Sequence, residues 1–94
     1  MPLRHRFTPP DNTRLAHLCG PLDEHLRTIE AALGVTIARR AEQFRIEGAK
    51  GAPEQALALL ESLYALAARP IPPEQVQLAI ASQLAHQAHQ AQGG

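Results

Sequence analysis

The alternation of apolar and polar positions divides the chain into short period-two runs and longer helical stripes. Arg4-His5-Arg6-Phe7-Thr8 reads as a short strand. Pro9-Pro10 ends it, because proline cannot donate to a ladder. Asp11 or Asn12 is placed to N-cap a short helix carrying Leu15 and Leu18. Cys19-Gly20-Pro21 interrupts the chain, and Pro21, favoured at a first helical position, opens the next element. Asp23 and Glu24 then fall in a first turn, where negative charge complements the helix dipole. Leu22, Leu26, Ile29 and Leu33 follow at spacings of 4, 3 and 4, one apolar face read as core. Gly34 is a natural C-terminal cap for that second helix.

Val35-Thr36-Ile37-Ala38-Arg39 alternates again, with Val35 and Ile37 inward, and Phe44-Arg45-Ile46-Glu47 does the same with Phe44 and Ile46 inward. The four residues Arg40 to Gln43 join them in a hairpin without the Asn-Gly pair of a strong turn. Gly48 to Gly51 is a loop, and Pro53 opens a third helix with a stripe of Ala56, Leu57, Leu60, Leu63, Tyr64 and Ala67. Arg69-Pro70-Ile71-Pro72-Pro73 is a stiff, extended connector. Glu74 to about Leu84 can form a fourth helix with Val76, Ala79, Ile80 and Leu84 on one side. The end, HQAHQAQGG, has no face to bury and reads as a fraying tail or linker. The order β-α-α-β-β-α plus a C-terminal helix predicts an α+β fold, a three-stranded antiparallel sheet covered by helices. Residues 1–69 form the expected main unit, and 70–94 hold the Pro-rich connector, the additional helix and a flexible tail.

Composition narrows the function classes. Ninety-four residues suffice for a single small core, and too few aromatics (3%) mean that it must be aliphatic and Ala-rich. Nine basic residues balance nine acidic ones, which argues against a strongly basic nucleic-acid tail. The single cysteine excludes an internal disulfide framework and fits a reducing compartment. No apolar run approaches the roughly 20 residues of a membrane span, and MPLRHRFTPP lacks the apolar region of a secretory signal. A small cytoplasmic domain is the expectation. Charge is uneven, however: residues 1–45 hold seven arginines against five acids. Eight of the nine basic residues are Arg, suited to bidentate contact with phosphate or carboxylate.

The element order is that of the type I KH arrangement. More narrowly, Leu18-Cys19-Gly20-Pro21-Leu22-Asp23-Glu24-His25-Leu26, with Ile29-Glu30, Leu33-Gly34-Val35, Ile37-Ala38-Arg39-Arg40 and Phe44-Arg45-Ile46-Glu47-Gly48, resembles the N-terminal segment of PhoH-like ATPases. Leu63-Tyr64 and Val76-Gln77-Leu78-Ala79 fit the same pattern, so the similarity covers roughly residues 5–80. In that family the segment precedes a P-loop ATPase domain, yet no G-x-x-x-x-G-K-[ST] is present here. The resemblance therefore implies a non-catalytic accessory domain. ATP and magnesium would belong only to the missing ATPase domain. It also implies bacterial cytoplasm, RNA metabolism, an endoribonuclease partner, and ring assembly driven by the ATPase domain. The family's Gly-Asn turn is replaced by Ala41-Glu42, which implies a longer or differently shaped loop.

A KH fold carries G-x-x-G between its first two helices, where the backbone clamps nucleotides. The slot here reads Gly20-Pro21-Leu22-Asp23. Gly20 is retained, Pro21 deletes an amide donor, and Asp23 sets a negative charge where phosphate would sit. At ~4 Å that repulsion is about 1 kcal/mol in water and several-fold more where screening is weaker. The KH layout lines one groove with Arg14 and His17 on the first helix, Arg27 on the second, and Arg39 and Arg40 at the end of the second strand. With Gly20 these are the candidate contacts for single-stranded RNA. Only Tyr64, Phe7 and Phe44 could stack bases, and both Phe are expected in the core. The competing expectation is a protein-interaction or oligomerisation module with a degenerate groove, its fourth helix docking on this domain, a second copy or the ATPase domain.

No metal centre or catalytic group emerges. Cys19 lies between His17 and His25, but neither a four-ligand zinc spacing nor an oriented base is visible, so it reads as a small packing residue. His86 and His89 supply only two ligands. Asp23 and Glu24 are adjacent on a helix and do not face one another, so they read as dipole or capping groups. Arg27 and Glu30 stand at i, i+3 as a surface ion pair.

Overall fold

The computed structural model describes residues 2–8 and 11–93, with side chains as far as Ala85. Pro9 and Pro10 and the side chains of His86 and His89 therefore lie outside the described residues. The elements are β1 (Leu3–Arg6), α1 (Asn12–Cys19), a 3-10 turn (Pro21–Asp23), α2 (Glu24–Leu33), β2 (Val35–Arg40), β3 (Gln43–Gly48), α3 (Ala52–Leu66) and α4 (Pro73–Gly93). The strands form one antiparallel sheet in the order β1-β3-β2. The architecture is α+β, with helices packed on one face of a three-stranded antiparallel sheet.

Local chemistry accounts for most boundaries. The Asp11 carboxylate accepts from the Arg14 amide at 3.0 Å, capping the start of α1. Gly34 takes a left-handed conformation (φ 66°) and its N–H donates to the Glu30 carbonyl, closing α2. The hairpin is tighter than the expected four-residue loop. Arg40 pairs with Gln43, leaving only Ala41 and Glu42 in the turn. The Ala41 carbonyl accepts from Arg39 Nε at 2.9 Å, and the Glu42 carbonyl accepts from the Phe7 amide at 3.1 Å. These two bonds hold a turn that lacks Asn-Gly, with Ala41 left at φ 54°.

The register sets Ile37 opposite Ile46 and Val35 opposite Gly48. Val35, Ile37, Phe44 and Ile46 consequently share one face and are buried there with Leu15, Leu18, Leu26, Ile29, Leu60 and Leu63. Burial of each such side chain stabilises the fold by about 1.5–3 kcal/mol. Phe7, just after β1, stacks on Tyr64 (ring centroids 4.4 Å) and meets Phe44 edge-on (5.2 Å), tying the end of β1 to α3 and β3.

Four expectations are corrected. Leu22 is 91% exposed rather than core. Leu22 and Asp23 both sit at positive φ (55° and 59°), so α2 starts only at Glu24 and Leu22 points away from the stripe. Along α3, Leu59 joins the buried face, whereas Leu57 and Tyr64 are half-buried. Leu84 is 42% exposed, and among the described side chains of α4 Val76 and Ile80 are buried in the core, with Ala79 partly covered. Lastly, the terminal stretch is helical to Gly93 instead of frayed. Its Ala and Gln residues favour helix, and no breaker intervenes before Gly93. Ile71 of the connector is buried in the same core as α3 and α4.

Ala41→Gly is expected to raise stability by about 0.5–1 kcal/mol, since a left-handed non-glycine residue costs roughly 1–2 kcal/mol and glycine's extra unfolded entropy offsets part of the relief. Urea unfolding measures this, and a lower midpoint in the variant would refute strain at the turn.

Candidate nucleic-acid interface

Two of the six residues read as groove contacts are turned inward. Arg14 donates from a guanidinium nitrogen to the Tyr64 carbonyl at 2.7 Å and lies over the Tyr64 ring, 5.3 Å from its centroid. His17 Nδ1 stands 2.8 Å from the Ala67 carbonyl. A carbonyl only accepts, so this nitrogen carries the hydrogen. Both side chains thus bond carbonyls at the C-terminal end of α3, where Tyr64 also accepts the Ala67 amide at 3.1 Å. The Arg14 charge there also complements the helix dipole. Tyr64 is covered by Phe7 and by Arg14, and Phe7 and Phe44 are buried, so none of the three rings offers a free face for a base.

The α1–α2 junction is built around a close approach. Gly20 (φ 78°, ψ 171°) ends α1 in a conformation open essentially to glycine alone. A Cβ there would lie 2.6 Å from Cδ2 of the His25 ring. His25 is buried, and its Nε2 donates to the Ile71 carbonyl at 2.8 Å. The junction and the proline-rich connector are thereby clipped together. Gly20 acts as a packing residue as well as a turn.

Beyond Gly20 the turn faces solvent. Pro21, Leu22 and Asp23 are all exposed. Asp23 lies 3.8 Å from a guanidinium nitrogen of Arg39, which brings the end of β2 against the turn. The carboxylate thus engages this arginine. Arg27 and Arg40 are exposed, and neither takes part in an ion pair among the described residues. The six residues therefore divide into two α3 caps, a turn glycine, one arginine held by Asp23, and two solvent-facing arginines.

Cys19 is buried beside this junction, and burial pushes its thiol up to about 11, with nearby Arg39 pulling the other way. His17 and His25 each bind a main-chain carbonyl, so neither is directed to Cys19 as base or co-ligand. Among the described residues no group of three or more His, Cys, Asp or Glu could hold a metal ion. Likewise no helix among them is long and apolar enough to cross a membrane.

Glu30 has a role that spacing does not reveal. The expected pair with Arg27 is absent among the described ion pairs. Glu30 instead accepts the Ile37 amide at 2.7 Å, capping an outward N–H on the edge strand β2. Only the succession α2–Gly34–β2, which folds the strand back along its helix, hints at that contact. No family model matches this chain, and no solved structure matches it significantly.

Gly20→Ala is expected to cost about 3 kcal/mol or more, combining the forbidden backbone region with the His25 clash. In a His25→Ala background the same change should cost at least about 1 kcal/mol less. Equal costs in the two backgrounds would remove the proposed contact.

Cys19 predicts a pH dependence. Below pH 9.0 the thiol is protonated in both states, and between there and about 11 only the unfolded chain releases its proton. Stability contributed by the buried thiol is therefore full below the unfolded value and is lost as pH rises through this window, by at most about 1.4 kcal/mol per pH unit. In urea melts from pH 8 to 11, Cys19→Ala should start less stable than the native chain and converge on it. Parallel curves would count against this coupling.

Proposed function

We propose that the chain is a non-catalytic KH-like accessory domain, of the type that precedes the ATPase domain in PhoH-like proteins, and that it makes weak, sequence-tolerant contact with single-stranded RNA. The reading joins the type I order β-α-α-β-β-α with a C-terminal helix. The observation that carries it is the exposed turn after Gly20, set against Arg39 at the end of β2. That is the position from which a KH fold holds a nucleic-acid backbone. With Arg14 and His17 committed to α3 and Arg40 on the other face of the sheet, the accessible charge at this end is Arg27 plus Arg39 when released by Asp23. Such a site would bind phosphate without reading bases. A cytoplasmic, RNA-processing setting, with the ATPase domain and an endoribonuclease as partners, accompanies this reading.

A second reading has its own support. Leu22 projects from a doubly left-handed turn and is 91% exposed, a conformation and an exposure that suit an apolar knob on a protein-docking surface. On this reading the degenerate groove meets protein, either the ATPase domain or a second copy, and no RNA.

Titration of a labelled single-stranded RNA separates the two. With two phosphate contacts, affinity should fall roughly 7-fold between ~50 mM and ~200 mM salt, and Arg27→Gln should flatten that to roughly 3-fold. Absence of binding at the lower salt would eliminate the RNA reading and leave the docking one.

A further inference from the structure

The sheet has a second face, which carries none of the six groove candidates except Arg40. Alternation places Arg4 and Arg6 of β1 on the side opposite the core, together with Ala38 and Arg40 of β2 and Gln43 and Arg45 of β3. Register then arranges them in rows. Arg4 is opposite Arg45, which is opposite Ala38, and Arg6 is opposite Gln43, which is opposite Arg40. Four arginines thus share a small plane, and they border an open depression of about 760 Å³. The acid nearest in register is Glu47, which pairs with Arg45 at 2.6 Å. Neither ion pair among the described residues involves Arg4, Arg6 or Arg40.

We propose that this helix-free face binds the phosphodiester backbone of a nucleic-acid duplex. Four guanidinium groups at strand spacing (about 6.8 Å along β1, about 4.8 Å between strands) present donors on the scale of neighbouring phosphates. Arginine's planar fork meets phosphate bidentately. The surroundings select the occupant. The two rows hold no aromatic ring, and of the two rings bordering the depression Phe44 is buried and His5 is half-buried against Phe7, so single-strand binding by base stacking has no open platform. They hold no large apolar side chain, so a hydrophobic partner gains little. A second copy would bring like charge to like charge. A duplex hides its bases, displays its phosphates, and needs only shape and charge. This site lies on the opposite side of the sheet from the α1–α2 turn and does not depend on the reading proposed for that turn.

The test uses the whole chain and a labelled RNA duplex of roughly 20 base pairs at ~50 mM and ~200 mM salt. With three unpaired arginines on phosphates, affinity should fall roughly 40-fold across that range. Arg4→Gln with Arg6→Gln should weaken binding at the lower salt and flatten the dependence to roughly 4-fold. Both positions are exposed, so the thermal midpoint should be unchanged. Arg27→Gln, on α2, should leave duplex binding intact, which separates this face from the turn. The proposal is overturned if the duplex does not bind at the lower salt, or if the double variant binds like the native chain. Tighter binding of a polyglutamate peptide or of a single strand by the same arginines would overturn it equally.

Discussion

The two-residue alternation of β3 governs the rest of the molecule. Phe44 and Ile46 face the helices, while Gln43, Arg45 and Glu47 face away. As the central strand, β3 imposes that polarity on both neighbours through its register. A slip of one residue would move Phe44 and Ile46 into water and Arg45 into the core. The core and the charged plane are therefore two consequences of one constraint, and neither could be repositioned without the other.

Around this sheet, polar side chains perform joining work that apolar packing leaves undone. Arg14 and His17 reach from α1 to the end of α3. His25 reaches from α2 to the connector, and Glu30 reaches from α2 to the edge of β2. Each adds a hydrogen bond to a main-chain group on a different element or segment, at a net value of about 1 kcal/mol, more where charge assists. An aliphatic core without tryptophan has few large rings to lock its helices in place, and these bonds add direction to that packing.

Much of the fold was legible in local patterns. The hairpin strands, the Asp11 and Gly34 caps and the burial of Phe7 and Phe44 all follow from period, capping chemistry and side-chain type. Leu22 was not legible, because its spacing fits the stripe and only backbone conformation removes it. Leu59 was missed because a two-turn stripe does not distinguish the centre of a wide buried face from its flank. The terminal helix was missed because polar, Ala-rich sequence lacks an apolar face while still favouring helix. The groove candidates were legible as arginines and histidine but not as partners: a side chain's reach to a carbonyl some 50 residues away leaves no trace in spacing. The charged plane is legible in the sequence once the strands are paired, since Arg4, Arg6, Arg40 and Arg45 alternate with inward residues.

Zero net charge conceals this distribution. With four of the nine basic residues gathered on one plane, the rest of the chain holds five basic against nine acidic residues, so the charge of a neutral chain is unevenly shared between that plane and the remainder. Near any polyanion it would experience a torque before contact, turning its flat side forward. Orientation during approach, and not overall attraction, is what such an arrangement confers.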